Sequence, residues 1–280
     1  MKEIHVSQIS QAIEELSIRS NYDLPEDVVA SIAEAARKEE SDLGREIFQL
    51  LQENASLART KRTAICQDTG VAVVFLEVGQ EVRIVGGSLT EAVNEGIRRG
   101  YAHGYLRKSV VGDPLLRKNT GDNTPAVLHT EIVPGDDLRI ILAPKGAGSE
   151  NMSALKMLTP AVGAEGVKKF IIDTVDKAGG NPCPPIIVGV GIGGTMEQAA
   201  LIAKKALLRP VGQRSPLEHV ARLEEETLEA INKLGIGPQG LGGSVTALAV
   251  HIETYTTHIA CLPVAVNIQC HVARHAEKRL

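Results

Sequence analysis

The chain has 280 residues, with 30 Lys and Arg against 34 Asp and Glu for a net charge of −4. That length fills one large domain or two smaller ones and can bury a sizeable core. The near-neutral balance, no Trp and only three Phe and four Tyr argue against a nucleic-acid surface, which needs clustered cations or stacking rings.

The N-terminus, Met1-Lys2-Glu3-Ile4-His5, lacks the basic-then-apolar signature of a secretion signal, and no apolar run reaches spanning length. The expected compartment is the cytoplasm, with no membrane contact. Residues 1–58 read as helices. Val6, Ile9, Ile13 and Leu16 recur at helical spacing, and Pro25 with Glu26 and Asp27 suits the first turn of a second helix. Ile32, Ala35 and Ala36 would be its buried face. Leu43, Ile47, Leu50 and Leu51 mark a third helix. None of these residues carries a chemical signature.

Then comes Ile65-Cys66-Gln67-Asp68-Thr69-Gly70, which puts a thiol, an amide, a carboxylate and a hydroxyl on successive residues. The continuous apolar run Val71–Leu76 after it reads as a buried strand, and a buried strand can hold a loop still. The residues themselves allow two readings: a metal-anchoring Cys66 with Gln67 and Asp68 facing a ligand, or a buried cysteine beside a turn. Four cysteines, at 66, 183, 261 and 270, lack CxxC pairing, and in a cytosolic chain they do not make a disulfide framework.

Val82–Val85 is a short strand ending at Gly86-Gly87. Ser88 and Glu91 form a capping box for a helix reaching Tyr101. Arg107, just beyond, is either a solvated cation or a carboxylate clamp. Pro125–Val133 and Leu138–Leu142, joined by Pro134-Gly135-Asp136-Asp137, read as a hairpin. The run Lys145-Gly146-Ala147-Gly148-Ser149-Glu150-Asn151 resembles an anion cradle before a helix start, without the ending of a nucleotide P-loop.

A helix is expected over about 160–178. Three prolines around Cys183 make Asn181-Pro182-Cys183-Pro184-Pro185 stiff, which suits a preset sulfur. Ile186–Val190 is a strand, followed by a glycine turn and a helix over about 196–208. Gly189, Gly191 and Gly194 imitate a dinucleotide fingerprint, but the acidic residue a ribose needs is missing. An amphipathic helix covers 216–234, with Glu224-Glu225-Glu226 as a solvated face. Gly235–Gly243 reads as a glycine-rich linker and Val245–Ile252 as a strand. Taken alone, His258 reads as a core histidine and Cys261 as packing. Cys270 ends an apolar run, and the basic tail with Arg274 and Arg279 is expected to fray.

As a set, Ile-Cys-Gln-Asp-Thr-Gly, Lys-Gly-Ala-Gly-Ser-Glu-Asn, Asn-Pro-Cys-Pro-Pro, Thr-His-Ile-Ala and Asn-Ile-Gln-Cys-His point one way. The chain resembles the alpha subunit of the iron–sulfur, class I fumarate hydratase and L-tartrate dehydratase family, over essentially its whole length. The resemblance implies a 4Fe-4S cluster on Cys66, Cys183 and Cys270, with one iron open as a Lewis acid. It puts Asp68 and His258 in the acid–base apparatus, and Gln67, Arg107 and Gly148 around a dicarboxylate substrate. Fumarate hydration to malate is the first reading, and dehydration of L-tartrate to oxaloacetate the alternative. Because single-chain relatives continue into a second domain, a separate beta subunit is expected to complete the site, in an alpha2-beta2 assembly, with alpha alone inactive. A reading outside this class is a zinc-stabilised structural protein using the three thiols and His271. The expected fold is α/β: a helical region over 1–58, then a cluster-binding α/β region over 59–280 with largely parallel strands and at least one hairpin.

Overall fold

Helical periodicity and glycine punctuation predict alternating strands and helices, and the computed structural model of residues 1–280 has them. In order they are β1 (Lys2–His5), α1 (Val6–Tyr22), α2 (Glu26–Lys38), α3 (Asp42–Lys61), β2 (Val71–Gly79), β3 (Val82–Val85) and α4 (Leu89–His103). Next come β4 (Val127–Val133), β5 (Leu138–Lys145), α5 (Ala147–Glu150), β6 (Ala154–Leu158), α6 (Gly163–Ala178), β7 (Ile186–Gly193) and α7 (Met196–Ala206). The last are α8 (Glu218–Asn232), β8 (Ala247–Tyr255), β9 (Leu262–Gln269) and β10 (Ala276–Arg279). The class is α/β, as expected, but the strands are not largely parallel: three strand pairings are parallel and four antiparallel. The chain divides into two units. Unit 1 holds Met1–Pro25, Asn54–Ala147 and Arg274–Leu280; unit 2 holds Glu26–Glu53 and Gly148–Ala273.

Unit 1 is built on the sheet β10-β5-β2-β4, with a separate parallel pair of β1 and β3. The period-2 rule sorts β2 cleanly. Ala72, Val74 and Leu76 join Leu138, Ile140 and Leu142 of β5 in one core, under Ile9, Ile13 and Leu16 of α1 and Val93, Ile97 and Tyr101 of α4. Each such aliphatic side chain, fully buried, contributes about 1.5–3 kcal/mol.

Several expectations change here. The first four-residue element is a strand, not a helix, and His5 caps α1: its ring accepts the Ser7 N–H while Gln8 accepts the His5 N–H. At Ser88 the cap accepts from the Glu91 N–H. In α3 the buried residues are Gly44, Ile47, Phe48 and Ala58, while Leu43 and Leu50 are exposed. Leu50 lies about 200° around the helix from Phe48, so one stripe cannot hold both. The hairpin over 125–142 does not form. β4 pairs parallel and β5 antiparallel with β2, which lies between them. The turn at 134–137 instead grips the end of β2: Gly79 N–H donates to the Asp137 carbonyl and Gln80 N–H to that of Val133. A strand that is apolar on both faces belongs in mid-sheet, and β2 takes that place. The tail does not fray; β10 pairs with β5, and Leu138 and Leu280 exchange both backbone hydrogen bonds.

Unit 2 carries the mixed sheet β6-β9-β7-β8. On β7, Ile186, Val188 and Val190 face a core with Val167, Ile171 and Val175 of α6 and Val220 and Ile231 of α8. The alternate positions, Gly189 and Gly191, face α7. A Cβ on Gly191 would stand 2.1 Å from the Ala199 carbonyl oxygen, so these glycines serve helix–strand packing, not a nucleotide. Glu224 is buried rather than solvated. It pairs with Arg209 and accepts the N–H groups of Ser215 and Ile252, which is how a buried carboxylate is tolerated. No helix is long and apolar enough to cross a membrane.

Candidate active site

In unit 1 the loop 65–70 is fixed from every side. Ile65 N–H donates to the Asn21 carbonyl at 3.0 Å, and Asn54 Nδ2 donates to the Ile65 carbonyl at 2.9 Å. The Tyr101 hydroxyl donates to the carbonyls of Thr69, at 2.7 Å, and Gly70, and Asn123 Nδ2 also reaches Gly70. Burial pushes the Tyr101 phenol well above its ordinary value, so it stays a neutral donor. Gly70 has φ +73, and a Cβ there would lie 2.7 Å from the Lys145 backbone, so the loop can rest on β5 only with glycine at this position.

Asp68 gains a defined direction from this frame. One carboxylate oxygen accepts the Gly70 N–H at 3.0 Å and the other the Ala147 N–H at 2.8 Å. The expected anion cradle is therefore occupied by the chain's own carboxylate, and the helix behind it, α5, has only four residues. Arg274, buried, donates to the Asp68 carbonyl, while its Nε and Nη1 have no hydrogen-bond partner. No sequence signal marked Arg274, one cation in a basic tail. Cys66 is half-buried, with Sγ 3.3 Å from Gln67 Oε1, and Gln67 is exposed. Arg107 is exposed too. Its carbonyl accepts from the Thr69 hydroxyl at 2.8 Å, so its backbone is tied to the loop beside Asp68.

In unit 2, Cys183 and Cys270 come together. Cys270 follows β9, whose Gln269 is in register with Ile187 of β7. The N–H of His271 donates to the Cys183 carbonyl at 3.3 Å, and His271 Nδ1 is 3.1 Å from the same oxygen. Cys183 has φ +55, a costly conformation for a residue with a Cβ, and its side chain is exposed. Gly148 opens the unit 2 segment; a Cβ there would meet the Asn181 carbonyl at 3.6 Å, an ordinary contact.

His258 is not a core histidine. It is exposed on the rim of a cleft of about 460 Å³, with Met157, Met196, Tyr255, Thr257 and Cys261 among the lining. Cys261, half-buried, lines this cleft rather than the core. The loop is rooted at Gly194, whose N–H donates to the Thr256 carbonyl and whose carbonyl accepts from the Thr257 hydroxyl. The imidazole itself accepts only the nearby Ala260 N–H, at 3.1 Å.

All four cysteines are free thiols. Cys66 belongs to unit 1 and Cys183 and Cys270 to unit 2, and neither unit by itself groups three or more Cys, His, Asp or Glu for a metal ion. The chemistry of the donors suits soft ligation, by zinc or by an iron–sulfur cluster. The preset, exposed Cys183 beside Cys270 supplies two such donors.

A family model described as fumarate hydratase (fumerase) matches residues 10–279. The chain belongs to the fumarate hydratase family. It is therefore a hydro-lyase, and the reading as a structural zinc protein loses its support. A chain of Methanocaldococcus jannaschii, provisionally named L(+)-tartrate dehydratase subunit alpha, is 44% identical over 98% of this chain and 98% of its own length. The L(+)-tartrate dehydratase subunit alpha of Escherichia coli (strain K12) is 33% identical over 96% of this chain and 89% of its own. That of Escherichia coli (strain UTI89 / UPEC) is 32% identical over 100% and 93%. This fumarate hydratase family member is thus similar, nearly end to end, to chains named as alpha subunits.

Proposed function

We propose that the chain is the alpha subunit of a two-subunit iron–sulfur hydro-lyase that dehydrates L(+)-tartrate to oxaloacetate. The observation that carries this is the 44% identity, over nearly the full length of both chains, to a relative bearing the tartrate dehydratase alpha name. The sequence reading put fumarate first; the names of the relatives favour tartrate. Reversible hydration of fumarate to malate is the second reading, and the description of the family model favours it.

Cys66, Cys183 and Cys270 would hold a 4Fe-4S cluster. When bound, such a cluster supplies an iron without a protein ligand, a Lewis acid for a substrate hydroxyl and carboxylate. This chain's own residues bind the dicarboxylate and handle protons. Asp68 and His258 form the acid–base apparatus. The Asp68 carboxylate is pre-oriented by the N–H groups of Gly70 and Ala147, which suits proton transfer at a fixed angle. His258 presents its imidazole to an open cleft. Gln67, Arg107 and Gly148 hold the substrate, with the Arg107 guanidinium suited to gripping a carboxylate twice. A beta subunit completes the site in an alpha2-beta2 assembly in the cytoplasm.

The test is anaerobic purification with and without that beta chain, followed by assays with both substrates. Oxaloacetate from L-tartrate by the pair, and nothing from alpha alone, is the expected result. Turnover of neither substrate by the pair, or turnover by alpha alone, overturns the proposal. Metal and sulfide analysis adds a second check: a brown protein with acid-labile sulfide that bleaches in air is expected, against a colourless protein holding zinc.

A further inference from the structure

We propose that Gln239 is a positioning residue for the thiol pair of unit 2, and that the glycine loop 235–243 is the brace through which it acts. This rests on the reading of Cys183 and Cys270 as cluster ligands. The segment Pro182–Pro185 has a single backbone N–H, that of Cys183, because its other residues are proline. That N–H is spent on the Gly180 carbonyl at 3.0 Å. The segment can then be held from outside only through its carbonyl oxygens.

Gln239 and His271 take two of those carbonyls. The backbone N–H of Gln239 donates to the Pro184 carbonyl at 2.8 Å, and its side-chain Nε2 donates to the same oxygen at 2.7 Å. Nε2 also stands 3.2 Å from His271 Nδ1, while His271, the residue after Cys270, bonds the Cys183 carbonyl. With its proton on Nε2 the His271 ring accepts from Gln239; with its proton on Nδ1 it donates to Cys183. Either tautomer ties the two thiol-bearing segments together, with Gln239 beside both.

The loop behind Gln239 is built, not slack. Gly237 N–H donates to the Thr246 hydroxyl at 3.1 Å, and Gly242 N–H to the Ile236 carbonyl at 2.9 Å. A Cβ on Gly240 would lie 2.5 Å from Gly180 Cα, so the loop presses directly on the chain leading to Cys183. Its far end is held by Glu39, which is 2% exposed and accepts the N–H groups of Ser244, at 2.8 Å, and Val245, at 2.9 Å. Gln239 itself has φ +54. Glycine would hold that backbone at lower cost, so the side chain earns its place by its contacts.

The test uses Gln239→Gly, which suits the backbone and removes the side-chain amide, and Gln239→Glu, which keeps the length and the backbone N–H but has no side-chain N–H for Pro184. In the metal-free full-length chain, amide exchange at Cys183 is expected to quicken about tenfold in both variants, as loss of one or two hydrogen bonds implies, with β7 amides unchanged. After anaerobic reconstitution, iron loss to a chelator is expected to be about 10–100-fold faster than in the unaltered protein. Exchange at Cys183 equal to the unaltered protein, or equal acceleration throughout β7, overturns the positioning role; so does rescue by Gln239→Glu. An unaltered chain that takes up no iron and sulfide defeats the cluster reading instead, and the exchange measurement still decides the brace.

Discussion

Two loops carry the candidate proton-transfer residues, and they are prepared in opposite ways. The loop 65–70 has its backbone held by Asn21, Asn54, Tyr101, Asn123 and Arg274, and the Asp68 carboxylate by two N–H groups. The loop 256–261 is tied at its root to Gly194 and is exposed over 256–260, with a single local bond to the His258 ring. One carboxylate is aimed by its own chain; one imidazole is aimed at open solvent. An enzyme gains most when its reacting groups need no reorganisation. On the proposed reading, substrate or a beta chain would give His258 its final orientation, whereas Asp68 is already oriented by the N–H groups of Gly70 and Ala147.

The largest expected effect tests both loops at once. Asp68→Asn and His258→Gln, each assayed in the complex with the beta chain, should lower kcat by about 10²–10⁴-fold if both move protons. A loss confined to one of them breaks the pairing. Acid should next weaken unit 2, the frame behind His258. Burial, then the nearby Arg209 charge, lowers the pKa of His251 from 6.5 to about 4. A depressed histidine stabilises fully above its ordinary value, and that stability is lost as pH falls through the folded one. Between pH 6.5 and about 4 the fold should lose roughly 3 kcal/mol from this group, and His251→Leu should flatten the dependence of Tm on pH. Glu39 acts in the same direction. Burial raises its pKa, the N–H bonds from Ser41, Ser244 and Val245 outweigh that, and the net shift is downward, so its support also goes on acidification.

Smaller effects sharpen the contrast. Tyr101→Phe leaves the carbonyls of Thr69 and Gly70 short of a buried donor, and denaturant unfolding should show a loss of about 1–3 kcal/mol. His258→Gln, by contrast, should change stability by no more than about 0.5 kcal/mol, because the ring is exposed. A stability cost at His258 as large as that at Tyr101 would erase the distinction between the loops.

Local chemistry was legible in the sequence where it depends on neighbours along the chain. The apolar run after Gly70, the strand after Pro185 and the helix boundaries at Gly86-Gly87 and Gly179-Gly180 all follow from periodicity and glycine. Partners distant in sequence were not legible. Nothing in Val71–Leu76 says that it separates the strands on either side of residues 134–137. The burial of Glu224 depends on Arg209 and on the N–H of Ile252, and that of Glu39 on Ser244 and Val245; an acidic residue reads as solvated until such donors are placed. The same limit hid Arg274 beside Asp68 and made the glycine loop at 235–243 look like a spacer. Taken alone, His258 reads as a core residue because Ile259 and Ala260 follow it, but the segment 256–260 is exposed, which composition along the chain does not reveal.

The strand β10 has a consequence for the order in which the molecule can be made. Unit 1 recruits it only after the whole of 148–273 has been synthesised, so until then β5 has an open edge opposite β2. During translation that bare edge is available to neighbouring nascent chains, and the late arrival of residues 274–280 both closes it and delivers Arg274 to the loop it steadies.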